Sequence, residues 1–257
     1  MPQEISPFRG EELNEKLRTL QVLEEELTEL ELELATLGAK LAAFEREYFR
    51  RMGSKYAELD RLQAELDALL ALRNPSDSQA EATARQSQER AKRSAEETRR
   101  FEALPEEASK PFQPSAELKA LYRQLAKLYH PDLAGDPEEQ RWRTSIMQEV
   151  NEAYEHGDIE RLRQILERGS KHAQGVMNRE SPKIAEITRE IGQAESRIRS
   201  LKQQIQALYA SDLFVLYQAA QNESALGEDL FTKLNKELDT QLVALRERIR
   251  TLGVANP

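Results

Sequence analysis

The sequence predicts an all-α protein in which long coiled-coil arms flank a small helical hairpin module. Ala, Leu, Glu, Lys and Arg fill 139 of the 257 positions, and aromatic residues make up only 6%. A half-share of those five residue types, combined with helical periodicity, marks long helices. Apolar residues recur in alternating four- and three-residue steps over two separate stretches. The ten prolines all fall outside those two stretches. The absence of cysteine excludes disulfides, thiolate metal sites and a cysteine nucleophile. Histidines 130, 156 and 172 are scattered, and no glycine-rich phosphate loop is present. No enzyme activity and no cofactor are therefore expected. A net charge of −9 disfavours nucleic acid as a partner. The longest dense apolar run, Leu213 to Leu216 with Tyr217, is far too short for a bilayer. The start of the chain does not read as a secretory signal, so a cytoplasmic protein without a membrane partner is expected.

The first arm is expected over 11–73. From Leu23 the seam runs Leu27, Leu30, Leu34, Leu37, Leu41, Phe44, Tyr48. That spacing calls for a partner helix along a narrow stripe. The phase slips at Gly53 and Ser54, then resumes at Tyr56, Leu59, Leu62, Leu66 and Leu69. One helix with a stutter accounts for this more simply than a turn, because no proline accompanies the glycine. Residues 74–114 carry Pro75, Pro105, Pro111 and Pro114 around a polar middle. From Gln79 to Arg100 that middle has no Leu, Ile, Val or aromatic residue, so it reads as a solvated linker.

The module spans 115–169. Ser115 to Tyr129 places Leu or Tyr at 118, 121, 122, 125, 128 and 129, which forms one apolar face. Lys119, Arg123 and Lys127 stand four apart as a basic ridge, expected on the water side. Pro131 ends the helix and leaves His130, Pro131 and Asp132 in a short stiff corner. Asp136 and Pro137 start the next helix, with Trp142, Ile146, Met147, Val150, Ala153 and Tyr154 as its apolar face. Gly157 closes it, and Asp158 caps a third helix beginning at Ile159. After a polar stretch at 170–182, the second arm covers 183–252. It places Ile184, Ile191, Ile198 and Ile205 at a, with Ile187, Ala194, Leu201 and Leu208 at d. A polar break from Gln221 to Asp229 precedes a last apolar series ending at Leu252. The isoleucine-at-a pattern favours two strands in parallel and leans toward a homodimer, while the presence of two arms permits an antiparallel hairpin within one chain.

The run LKALYRQLAKLYHPDL, followed by VNEAYE at Val150 to Glu155, resembles the J-domain of DnaJ-type co-chaperones, in the class carrying only that domain. The resemblance covers about residues 112 to 156. It implies that His130, Pro131 and Asp132 form the triplet that triggers ATP hydrolysis by an Hsp70 (DnaK-type) partner. Lys119, Arg123 and Lys127 would be the electrostatic docking surface. It also implies that Tyr122, Leu125, Met147, Val150 and Tyr154 are hairpin core. The family's first helix should precede Ser115, where FEALPEEASKPF at 101–112 lacks its signature. Phe101, Leu104 or Phe112 would fill part of that space. The expected function is stimulation of Hsp70, with an unknown client held by the arms. The competing expectation is a coiled-coil scaffold whose J-like hairpin is inactive. The trigger reading requires the His130 corner to be open to an outside partner.

Overall fold

A computed structural model describes residues 7–105, 110–131, 134, 137–173 and 184–254. Among them are eight helices and no strand, an all-α fold. The helices are α1 (Pro7–Arg73), α2 (Ser78–Glu102), α3 (Ala116–Tyr129), α4 (Pro137–Glu155), α5 (Ile159–Ala173), α6 (Ile184–Tyr209), α7 (Asp212–Ala225) and α8 (Leu230–Val254). They sort into two compact units. One contains the chain up to Lys40 together with Phe112–Ser211, and the other contains Leu41–Pro111 with the chain from Asp212 onward. Helix α1 passes without interruption through Gly53, so the phase slip lies within one helix. No described helix is long and apolar enough to cross a membrane.

In the first unit, α3, α4 and α5 enclose a core of their own. Leu118, Tyr122, Leu125, Ala126 and Tyr129 meet Met147, Val150, Ala153 and Tyr154 from α4, and Leu162 and Ile165 from α5. Leu32 of α1 joins this core, with Ala35 and Phe112 packed against it. The Phe112 ring meets Tyr154 edge-on at 5.5 Å. Local chemistry sets the helix ends. The Ser115 hydroxyl accepts from the Leu118 amide at 3.1 Å. Gly157 adopts φ +67, a left-handed conformation that terminates α4. Asp158 then accepts from the Arg161 amide at 2.8 Å. The proposed cap Asp136 lies outside the described residues.

A second cluster in this unit joins α6 to α1. Ala194, Ile198 and Leu201 pack with Leu27, flanked by Leu23, Leu30 and Leu34. The isoleucine-rich seam of the second arm therefore has a partner within the same chain. Ile187 and Ile205 are buried, whereas Ile184 and Ile191 are half-buried.

In the second unit, Phe44, Met52, Phe231 and Leu238 form the centre, lined by Tyr48, Tyr56, Leu213, Tyr217 and Leu234. Helices α7 and α8 form a hairpin whose turn uses Gly227 at φ +75. Helix α8 runs in the same direction as α1: Arg51 meets Asp229, Lys55 meets Asp239 at 2.6 Å, and Arg73 reaches the Leu252 carbonyl. Helix α2 is where the linker expectation and the structure part. Its inward face is built of small residues: Ala84, Ser87, Ala91, Ser94 and Thr98 at seam spacing. Ser87 and Thr98 are buried, Phe101 stacks on Phe49 at 4.3 Å, and Arg90 pairs with Asp60 at 2.8 Å. Small side chains let two helices approach closely, so α2 docks without any large aliphatic residue. Gly53 is the counterpart of that approach, since a Cβ there would lie 3.1 Å from the Thr98 hydroxyl oxygen.

Candidate functional site

The site is built at the end of α3, where the chain turns before α4. His130 has ψ 128, the extended value that a following proline imposes. The Ala134 amide donates to the Pro131 carbonyl at 3.2 Å. Arg143 on α4 holds the outgoing end of α3: it donates to the Leu128 carbonyl at 2.7 Å while held by Glu139. Asp132, the third member of the expected triplet, lies outside the described residues.

His130 is not open to an outside partner as the trigger reading requires. His130 is only 6% exposed, and its Nε2 lies 3.4 Å from Oε1 of Glu31 on α1. That same oxygen accepts from Arg197 on α6, at 2.8 Å from Nη2 and 3.2 Å from Nε. Burial pushes the Glu31 carboxyl up, but the hydrogen bonds from His130 and Arg197 outweigh it and hold the group below its ordinary range. A buried carboxylate needs this many donors to remain charged.

The basic ridge meets α1 while staying open to water: Lys119 and Arg123 are half-buried and Lys127 is exposed. Arg123 forms a two-pronged bridge to Glu29, with Nε at 2.6 Å and Nη2 at 3.0 Å. This bridge holds Glu29 below the usual carboxylate range. Lys127 lies beside His130 in a recess lined by Leu20, Glu24 and Thr28 of α1 and by Glu190 of α6. There burial and Glu190 raise the Glu24 carboxyl, with Lys127 and His130 opposing. Lys119 shares a neighbouring hollow with Glu33, Lys40 and Tyr209. Five of the six expected residues can therefore be located, with Lys127 and His130 lining one recess and Lys119 and Arg123 a neighbouring one. What the sequence reading missed is the occupant of that surface.

Two contacts deepen the attachment. Tyr154 and Thr36 share a hydrogen bond of 2.8 Å, and the Tyr122 hydroxyl donates to Asn151 at 2.8 Å with the Glu31 carbonyl at 3.4 Å. Glu29 and Glu31 carried no signal beyond being acidic positions beside a leucine seam. Arg197 looked like any outward arginine. Only Arg143 had a legible clue, its position four residues after Glu139. The cation Arg123 and the imidazole of His130 meet carboxylates of α1, Glu29 and Glu31. Comparison with protein-family models, with curated proteins and with solved structures returns no match.

Proposed function

We propose that this chain is a J-type co-chaperone that stimulates ATP hydrolysis by an Hsp70 partner through the α3–α4 corner. The observation that carries this reading is the hairpin itself. A core built mainly by α3, α4 and α5 holds His130 and Pro131 at the end of α3, with Lys119, Arg123 and Lys127 on the adjoining face. Long-range attraction from such cations raises the on-rate for an acidic groove. The proline fixes the corner, so little entropy is lost on docking. This chain then supplies no catalytic group of its own. It biases the partner between states by binding one of them more tightly.

One observation favours a second reading. With His130 buried against Glu31, the hairpin also fits a scaffold whose J-like corner is used for internal packing. Steady-state ATPase of a purified DnaK-type Hsp70 separates the two, using the full chain and its His130→Gln form. The co-chaperone reading expects stimulation by the wild type and its loss in the variant. Equal rates for both, at every concentration, leave the scaffold.

A further inference from the structure

We propose that residues 24–36 of α1 are an intramolecular lock on the co-chaperone surface, and that the lock must lift before a partner can dock. This rests on the function proposed above and names its regulation. The argument begins with what α1 brings to the surface. Glu29 takes the Arg123 fork, Glu31 takes His130, and Glu24 lies near Lys127. An acidic partner groove would have to satisfy these same cations. Two occupants cannot hold one guanidinium fork at the same time, so α1 and the partner exclude each other. The opposing face of α1 therefore acts as a substitute partner carried within the chain.

The contacts also show where the lock parts. The core of α3, α4 and α5 is complete among its own residues except for Leu32, with Ala35 beside it. Most of the remaining attachment is polar: Glu29 to Arg123, Thr36 to Tyr154, and Glu31 to His130. By contrast, α1 and α6 meet through Leu27, Ala194, Ile198 and Leu201, an apolar seam. The weaker boundary lies between the α1–α6 pair and the module. Glu31 is built for that separation, because Arg197 of α6 stays with it when His130 departs. No buried carboxylate is stranded by opening. The cost of opening is then low enough for a partner to supply, and the observed affinity is scaled by the open fraction.

The test uses the full chain. Glu29→Lys repels Arg123, and Leu32→Asp removes the one α1 side chain inserted in the module core. Two readouts are taken: Hsp70 ATPase across a concentration series, and the rate at which a thiol placed by His130→Cys is labelled. The natural sequence has no cysteine, so that thiol reports alone. The expected result is labelling at least tenfold faster in the Glu29→Lys/Leu32→Asp form. Half-maximal stimulation should come at about tenfold lower concentration, about 1.4 kcal/mol. Adding His130→Gln to the opened form should abolish it. Glu29→Lys alone, which leaves the core untouched, should move both readouts in the same direction by a smaller factor. Fast labelling of His130→Cys in the otherwise unaltered chain overturns the lock. So does slow labelling in every form, because Glu29 and Leu32 are then not the closing contacts. Faster labelling with unchanged, His130-dependent stimulation refutes the lock and spares the co-chaperone reading. Faster labelling with no stimulation by any form refutes the co-chaperone reading itself.

Discussion

At the scale of single residues, Glu31 is the most consequential group in the first unit. Its carboxylate is buried and accepts from His130, just past α3, and from Arg197 of α6. Replacing it with Gln keeps the shape but removes the charge, leaving Arg197 and His130 with a weaker acceptor. The loss expected in urea unfolding at pH 7 is about 1–3 kcal/mol. Because folding lowers the pKa of Glu31, its contribution is full above the unfolded carboxylate value of 4.5. It fades as pH falls through the lower folded value. The gap between wild type and Glu31→Gln should therefore narrow below pH 4.5. A gap that widens with acid would contradict the assignment. Glu24, raised by burial and by Glu190, titrates with the opposite sign and is present in both proteins, so it cancels in the difference. Glu29 and Arg123 form an exposed pair, and truncating either should cost at most about 1 kcal/mol of stability.

At the scale of elements, two junctions invite tests. Leu201 is fully buried in the α1–α6 seam, so Leu201→Ala should lower stability by about 2–5 kcal/mol in the same unfolding assay. A loss below 0.5 kcal/mol would mean that the seam is not a load on folding. Gly53 tests the close packing of α2. Gly53→Leu places a side chain against Thr98 and should cost about 1–3 kcal/mol. In a Thr98→Ala background, Gly53→Ala should instead recover about 1 kcal/mol of helix propensity. Thermal unfolding of the four proteins measures that cycle. The elements themselves were largely legible in the sequence. Ser115, Pro131, Gly157 and Asp158 mark their helix ends by chemistry that depends only on neighbours. The Ala-Ser-Thr face of α2 was not legible as a docking face, because such residues look the same whether they meet water or a glycine. The break at Ala210 and Ser211 between α6 and α7 carries neither glycine nor proline, and nothing in the pattern announces it.

At the scale of the whole molecule, the leucine and isoleucine seams announced pairing but not partners. A heptad stripe specifies a geometry, and any matching stripe satisfies it. For the α6 seam the partner is α1 of the same chain, while the membership of the two units cuts across the arm boundaries drawn from composition. The candidate site divides in the same way. His130, Pro131 and the three cations were readable because a proline-ended amphipathic helix is a local pattern. Their cover was not, because Glu29 and Glu31 stand about a hundred positions upstream and meet the corner only after folding. Non-local pairs of this kind leave no trace in spacing.

Amide hydrogen exchange on the full chain, with and without ATP-loaded Hsp70, examines this exchange of partners most directly. Docking at the corner predicts reciprocal change: amides across Glu24–Thr36 lose protection while those of Lys119–His130 gain it. Unchanged protection in both segments, at saturating Hsp70, would contradict the account.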